Sequence, residues 1–218
     1  MIPKMHQGLK GFIFDMDGII IDSEPLWKKA EKEVFSSLGV QLTEELCLIT
    51  ERMTTSEVTK FWFEKFPWEG KTLKSTENSV VNRVSELIKK EGKAIKDVKD
   101  FIKRIKLAGF KIGLATNSPA ILIPVVLEKL ELSNYFDVIA SSEFELVGKP
   151  NPSVYKTALR KLNLDAKECI AIEDSNSGLM AAKRAGLKTV ALSSENKKSE
   201  YADHQIHHYN EFDFSIVN

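Results

Sequence analysis

The sequence predicts an α/β fold: a doubly wound parallel sheet into which a separate helical bundle is inserted. Three observations lead to this prediction. Short strands alternate with helical segments over most of the chain, and the strands are apolar on both faces. In addition, one long interval near the N-terminus contains helical patterns but no convincing strand.

The strands and helices of the sheet region follow from hydrophobic periodicity and from helix start and stop signals. Asn151 and Pro152 are typical of a helix start, and Gly186 is typical of a helix end. The predicted strands are residues 9–15, 110–116, 136–140, 169–172 and 188–192, and the predicted helices between them are 96–107, 152–162 and 175–185.

The interval between Asp22 and about Lys93 is too long for a loop. Pro67 and Gly70 mark a turn within it, and we expect a helical bundle. Its predicted helices are residues 26–38, 43–49, 55–66 and 79–90, and the predicted domains are a core of 1–18 with 96–218 and a helical cap of 19–95. We assign no element to the polar segment beyond Ser193, and we expect its histidines to be solvated.

Composition restricts the classes of function. The chain has 218 residues, of which 43% are apolar, and its 31 basic residues balance its 31 acidic residues. This balance gives no support for nucleic-acid or membrane-surface binding. No apolar run reaches the length of about 18 residues that a membrane span requires. We therefore expect a cytoplasmic protein, a monomer or weak homo-oligomer, that binds a small molecule.

Polar residues that can carry chemistry follow the predicted strands. In open α/β sheets, ligands bind at the carboxyl ends of the strands, so these residues are expected to meet at one edge. Asp15 and Asp17 follow the first strand. The others are Thr116 and Asn117 after the second strand, Glu173 and Asp174 at the end of the fourth, and Lys149 before a helix.

Carboxylates this close together need a compensating cation, and a hard divalent ion with oxygen ligands is the natural one. Mg²⁺ accepts one or two carboxylates and substrate phosphate oxygens. Lys149 and the Thr116 hydroxyl would then bind the remaining phosphate oxygens. The residues thus predict a Mg²⁺-assisted reaction on a phosphate group.

Four segments carry a specific resemblance: DMDGIIIDSEP, LATNSP, VGKPNP and IEDSNSG. They resemble, in the same order, the four motifs of the haloacid dehalogenase superfamily. The resemblance implies a Rossmann-like core with a helical cap inserted directly after the first motif. This agrees with the organisation read from the periodicity.

The resemblance also implies roles for the residues that match the motifs. Asp15 would be the nucleophile that forms an aspartyl-phosphate, and Asp17 would act as general acid and base. Thr116, the Asn117 amide and Lys149 would bind the phosphoryl group. Mg²⁺ would be held by the Asp15 carboxylate, the Asp17 carbonyl and Asp174, with Glu173 acting through water or sharing in ligation. Asp17 favours phosphoryl transfer over dehalogenation, because the dehalogenating members lack it.

The stretch FDMDGIIIDSEPLWKKAE resembles bacterial phosphatases of hexose and hexitol phosphates, including 2-deoxyglucose-6-phosphate phosphatase. A related group, the β-phosphoglucomutases, carries a histidine where this chain has Trp27. The resemblance therefore favours a sugar phosphatase, with the mutase as the alternative. Trp27 and Arg52 are candidate substrate contacts in the cap, although each is also compatible with a purely structural role.

A non-catalytic phospho-receiver module is the rival from another class of function. Receivers also place acidic residues, a threonine and a lysine around Mg²⁺. They lack a general acid two residues after the phosphoacceptor, and they lack a large helical insert. Asp17 and the predicted cap both argue against this reading.

Overall fold

A computed structural model describes residues 8–50, 53–193 and 199–214. The chain divides into two compact units, one formed by Met1–Asp22 with Lys93–Asn218 and the other by Ser23–Gly92. The first junction lies four residues after the predicted one (22 against 18), and the second lies three residues before it (92 against 95). We call the first the core unit and the second the inserted unit.

The core unit is built on a single parallel sheet. All five strand pairings are parallel, and the strand order is β3-β2-β1-β4-β5-β6. The doubly wound parallel sheet predicted from the sequence is therefore confirmed. The strands are β1 (Gly11–Phe14), β2 (Lys111–Thr116), β3 (Val138–Ser141), β4 (Cys169–Glu173), β5 (Lys188–Leu192) and β6 (His204–Ile206).

Helices connect these strands and form the inserted unit. Those of the inserted unit are α1 (Glu24–Ser37), α2 (Glu44–Thr50), α3 (Thr55–Lys65) and α4 (Leu73–Glu91). Those of the core unit are α5 (Val98–Leu107), α6 (Leu122–Lys129), α7 (Ser153–Leu162) and α8 (Asn176–Arg184), with 3-10 turns at Ser142–Phe144, Ala166–Glu168 and Tyr209–Glu211. Within the described residues, none of these helices combines the length and apolar character needed to cross a membrane.

The central strand explains why the sheet is stable. β1 lies between β2 and β4, and all four of its residues are buried. The ring of Phe12 packs edge-on against Phe101 of α5 and Phe110 at the entrance to β2, with centroid distances of 5.9 and 5.2 Å. Aromatic contacts of this kind add to the free energy gained from burial alone. The apolar run that predicted a buried strand therefore forms the middle of the core.

The segment beyond Ser193 contains an element that the sequence did not reveal. Residues His204–Ile206 form β6, a short parallel edge strand beside β5. His204 and Gln205 are half-buried, because an edge strand is covered less completely than a central one. The predicted solvation therefore holds for His207 and His208, which are exposed, but only partly for His204.

The predicted helix bounds agree with the structure to within two residues, except at the start of α4. α4 begins at Leu73, six residues before the predicted start at 79, because Thr72 accepts a hydrogen bond from the backbone N–H of Ser75 and caps the helix there. α7 begins at Ser153, and Pro152 lies at its cap position.

Pro124 falls in the first turn of α6, where its missing N–H costs no helical hydrogen bond.

The inserted unit has its own apolar interior. Phe35 of α1 and Trp62 of α3 are fully buried, and Trp68 packs 5.9 Å from the Phe35 ring. α3 starts with a capping box, in which Thr54 and Glu57 satisfy each other's backbone N–H groups. A helical bundle inserted after the first strand was predicted, and the structure contains one.

The two chain segments that connect the units pair with each other. The N–H of Asp22 donates to the carbonyl of Lys93 at 3.0 Å, and the N–H of Ile95 donates to the carbonyl of Ile20 at 3.0 Å. These bonds satisfy backbone groups where the chain leaves and re-enters the core unit.

Candidate active site

Strand register brings the predicted site residues of the core unit to one edge of the sheet. Phe14 of β1 lies opposite Leu114 of β2 and Ile172 of β4. The residues that follow each of these positions therefore emerge side by side at the carboxyl ends of the strands. We call this the carboxyl edge of the sheet.

Three carboxylates converge at the carboxyl edge. One oxygen each from Asp15, Glu173 and Asp174 lies within 4.8 Å of the others. Asp15 and Glu173 are buried, whereas Asp174 reaches solvent. Partial burial of its carboxyl and the charges of Asp15 and Glu173 raise the pKa of Asp174 to about 8. With all three groups ionised, the cluster would therefore carry more negative charge than its own surroundings neutralise.

Lys149 is the cation that faces this cluster. Its Nζ lies 2.7 Å from Oδ1 of Asp15, 2.5 Å from Oε1 of Glu173 and 2.8 Å from the carbonyl oxygen of Ala115. Only 3% of the side chain is exposed. Burial opposes the charged form of Lys149, but the carboxylates of Asp15 and Glu173 outweigh it and raise its pKa. Lys149 is therefore a fixed buried cation.

Asp17 is held by a residue that the sequence analysis did not include among the site residues. The hydroxyl of Ser118 donates to Oδ2 of Asp17 at 2.5 Å. The motif alone gives no signal that the Ser118 side chain turns back to the first loop.

Thr116 and Asn117 occupy the neighbouring strand end. Oγ1 of the buried Thr116 accepts a hydrogen bond from the N–H of Ser118 at 3.0 Å, so its own hydroxyl hydrogen can be donated elsewhere. Oδ1 of Asn117 accepts from the N–H of Lys149 at 2.9 Å. The Asn117 side chain thus joins the loop after β2 to the loop that carries Lys149.

Two glycines allow the acidic groups to approach the backbone closely. Gly18 has a positive φ of 69°, and a Cβ at this position would overlap Oδ2 of Asp174. A Cβ on Gly178 would overlap the carboxylate of Glu173. Both positions therefore require glycine because of the site, and neither was identified from the sequence.

The donor set fits a hard divalent cation. All three clustered groups offer carboxylate oxygens, which are the ligands that Mg²⁺ and Ca²⁺ prefer. The raised pKa of Asp174 indicates that the described residues do not fully compensate its ionised form. Both oxygens of Glu173 already accept hydrogen bonds, Oε1 from Lys149 and Tyr155 and Oε2 from Ser175. Asp15 and Asp174 are therefore better placed than Glu173 to contact a cation directly.

The two predicted cap residues belong to the inserted unit. Trp27 lies on α1 and is half-buried. Arg52 lies outside the described residues. The structure brings together Asp15, Asp17, Thr116, Asn117, Lys149, Glu173 and Asp174, all of them in the core unit.

The parallel sheet, with acidic groups clustered at its carboxyl edge, defines a Rossmann-like fold. The chain belongs to the haloacid dehalogenase-like hydrolase family, whose sequence profile matches residues 12–192. The resemblance of the four sequence motifs to this family is thereby confirmed.

Relatives with assigned activities are similar over most of their length. The chain is 33% identical to hexitol phosphatase B of Escherichia coli K12 over 189 residues, which cover 86% of this chain and 85% of the relative. It is 32% identical to a phosphorylated carbohydrates phosphatase of Thermotoga maritima over 184 residues, covering 84% of each. A Clostridium difficile β-phosphoglucomutase structure has the same fold, with a TM-score of 0.80, 22% identity and coverage of 96% and 95%.

Proposed function

We propose that the protein is a Mg²⁺-dependent phosphatase that hydrolyses small phosphate monoesters, in particular sugar phosphates, through an aspartyl-phosphate on Asp15. The observation that carries this proposal is the buried Lys149 between Asp15 and Glu173 at the carboxyl edge. A fixed cation beside a carboxylate nucleophile reduces the repulsion between that nucleophile and an anionic phosphate. The two relatives named as phosphatases of hexitols and phosphorylated carbohydrates support the substrate class.

In the first chemical step, a carboxylate oxygen of Asp15 attacks the phosphorus atom. A bond forms between this oxygen and phosphorus, and the bond from phosphorus to the ester oxygen breaks. Oδ1 of Asp15 contacts Lys149, which supports Oδ2 as the attacking atom. Asp15 is only 8% exposed, so few water molecules surround its carboxylate.

Asp17 acts as the general acid in the first step and as the general base in the second. In its acid form it donates a proton to the departing ester oxygen, and the substrate leaves as an alcohol. As a carboxylate it then accepts a proton from the water molecule that attacks the phosphorus of the aspartyl-phosphate. That attack releases inorganic phosphate and restores the Asp15 carboxylate. The hydrogen bond from Ser118 supports a defined orientation for Asp17.

The other site residues bind the phosphoryl group and the metal ion. Thr116, the backbone amide of Asn117 and Lys149 would donate to the phosphoryl oxygens. The carboxylates of Asp15 and Asp174 and the carbonyl of Asp17 would hold Mg²⁺, with Glu173 contributing through water. When bound, Mg²⁺ supplies positive charge that stabilises the charge developing on the phosphoryl oxygens.

Substrate choice, location and assembly remain predictions. Trp27 and Arg52 are proposed to contact the sugar part of the substrate. We also propose a cytoplasmic monomer or weak homo-oligomer. No nucleic acid or membrane is part of the proposed function.

A β-phosphoglucomutase activity is the second candidate, because the sequence also resembles that related group, and the Clostridium difficile mutase has the same fold. The identity of 22% supports likeness of fold only. Trp27 in place of the mutase histidine argues for hydrolysis. A phospho-receiver role receives no support from membership in a hydrolase family.

The test is a phosphate-release screen over hexose and hexitol phosphates with Mg²⁺ and with excess chelator. We expect release that depends on Mg²⁺ and differs among sugar phosphates. No release from any ester would contradict the proposal. A parallel assay with β-glucose 1-phosphate and the bisphosphate activator separates the mutase, because isomerisation faster than phosphate release would replace the phosphatase assignment.

A further inference from the structure

We propose that Tyr155 is a positioning residue that fixes Glu173 and Lys149, so that the lysine remains available to the phosphate group. The proposal rests on the proposed function, because it concerns the same phosphate-binding lysine. Tyr155 itself would touch neither substrate nor metal.

The contacts of Tyr155 carry the inference. It lies on α7, which begins four residues after Lys149, and it is fully buried. Its hydroxyl donates to Oε1 of Glu173 at 2.6 Å, the same oxygen that accepts from Lys149 at 2.5 Å. The Lys149 ammonium also lies 5.1 Å from the centroid of the Tyr155 ring. One side chain therefore contacts both members of the buried ion pair, through its hydroxyl and through its ring face.

The hydrogen bonds of Lys149 show why a fixed Glu173 matters. An ammonium group has three N–H donors, and Lys149 directs its donors to Asp15, Glu173 and the carbonyl oxygen of Ala115. Lys149 can donate to a phosphate oxygen only if one of these partners is released or shares its hydrogen. The Ala115 carbonyl belongs to the backbone of β2 and is held in the buried part of the sheet. If Glu173 is also fixed, the exchange takes place at Asp15, beside the attacking oxygen.

Glu173 is held from other sides as well. Its Oε2 accepts from the Ser175 hydroxyl at 3.3 Å. The backbone of Gly178 approaches the carboxylate so closely that a Cβ there would overlap it. The hydrogen bond from the Tyr155 hydroxyl to Glu173, at 2.6 Å, is shorter than the one from Ser175. Without that hydroxyl, Glu173 keeps its ion pair but loses the bond that orients Oε1.

A purely structural role makes a different prediction. If the ring only fills space in the core, phenylalanine would replace tyrosine with no effect on phosphate binding. Tyr209 offers the matched control, because it is also fully buried and donates its hydroxyl at 2.8 Å, but to the carbonyl of Ile19. Tyr155→Phe and Tyr209→Phe each remove one buried oxygen and one hydrogen bond.

The experiment compares both variants with the wild-type protein in two assays. The first measures KM and kcat for a sugar phosphate with Mg²⁺, together with inhibition by inorganic phosphate. The second uses metal-free protein, a lysine-acylating reagent and peptide mass spectrometry to follow modification of Lys149, with the exposed Lys156 as internal reference. The second assay needs neither metal nor turnover. Thermal melting confirms that each variant is folded.

For Tyr155→Phe we expect KM and the inhibition constant of phosphate to rise about tenfold, the factor lost with one hydrogen bond to a charged group, while kcat changes less. Acylation of Lys149 should also rise relative to Lys156. Tyr209→Phe should lower the melting temperature without either change. Wild-type values for Tyr155→Phe in both assays, or equal changes in Tyr209→Phe, would overturn the proposal.

The two proposals fail in distinguishable ways. If the wild-type protein releases no phosphate from any ester, the proposed function fails, and the acylation assay still decides whether Tyr155 fixes Lys149. If the wild-type protein is active and Tyr155→Phe matches it throughout, only the role of Tyr155 is wrong.

Discussion

The Ser118 hydroxyl donates a 2.5 Å hydrogen bond to Oδ2 of Asp17, joining the loops that follow the neighbouring strands β2 and β1. Ser118 is itself held from two sides. Its N–H donates to Oγ1 of Thr116 at 3.0 Å, and its carbonyl accepts from the Ser141 hydroxyl at 2.9 Å. The orientation of the proposed general acid therefore depends on a residue that is well fixed in the core unit.

Ser118→Ala should lower kcat for a sugar phosphate by about tenfold, the effect of one lost charge-assisted hydrogen bond, with a smaller change in KM. The effect should shrink in a single-turnover burst with p-nitrophenyl phosphate, whose leaving group needs no proton. Ser142→Ala removes a more exposed hydroxyl bonded to the Asn117 carbonyl and serves as the control. Equal losses of burst rate for both substrates would show that Ser118 does not act through Asp17.

Lys149→Met should destabilise the protein, because it leaves Asp15 and Glu173 buried without their partner cation. Removing one member of a buried ion pair lowers the free energy of unfolding by about 3–5 kcal/mol. Urea denaturation of metal-free protein measures this, with the exposed Lys156→Met as control. A loss no larger than that of the control would contradict the buried ion-pair network.

Gly178→Ala should also destabilise the protein, although alanine is the better helix former by about 1 kcal/mol. The new Cβ would overlap the carboxylate of Glu173, and such overpacking costs about 1–3 kcal/mol. Ser177→Ala, at an exposed position of the same helix, controls for helix propensity. If thermal melting shows that Gly178→Ala is stabilised, the close approach of Glu173 to this backbone is wrong.

Glu31 in the inserted unit predicts a pH dependence. Burial raises its pKa to about 7, and the nearby charge of Lys28 opposes this shift. The folded state therefore holds the Glu31 proton more tightly than the unfolded chain. The stability that protonated Glu31 contributes is present at low pH and is lost as the pH rises through about 7.

Glu31→Gln removes this titration. The free energy of unfolding of the variant minus that of the wild type should be higher at pH 8 than at pH 5. We expect this increase to be on the order of 2 kcal/mol after allowance for partial exposure of Glu31. Urea denaturation at both pH values measures the gain, and the exposed Glu64→Gln should show no such difference. An equal gain at the two pH values would mean that Glu31 does not titrate in this range.

The sequence predicted the central elements well because their signals are physical necessities of the fold. The apolar run before Asp15 predicts a buried strand, and parallel pairing then places the ends of β2 and β4, with Thr116 and Glu173, beside it. β6 was missed because an edge strand of three residues needs little apolar character. Within the helical interval, the start of α4 was placed late because its first turn is polar and depends on the Thr72 cap.

The supporting residues of the site were harder to predict. Tyr155 falls on the apolar face of α7, so its pattern indicates only core packing. Its hydroxyl donates to Glu173, which lies 18 positions further along the chain, and hydrophobic periodicity does not predict a contact of this kind. The same is true of Ser118 and Asp17, which are 101 positions apart. The site roles of Asp15, Asp17, Lys149 and the others remain predictions from the sequence and geometry.

The most direct measurement is covalent capture of the phosphoryl group. Wild-type protein and Asp15→Asn are mixed with ³²P-labelled sugar phosphate and Mg²⁺, quenched in acid within one turnover and mapped by peptide mass spectrometry. We predict transient label on the peptide that contains Asp15 in the wild-type protein, and neither label nor phosphate release in Asp15→Asn. Phosphate release by Asp15→Asn at the wild-type rate, or label on another residue, would contradict the account.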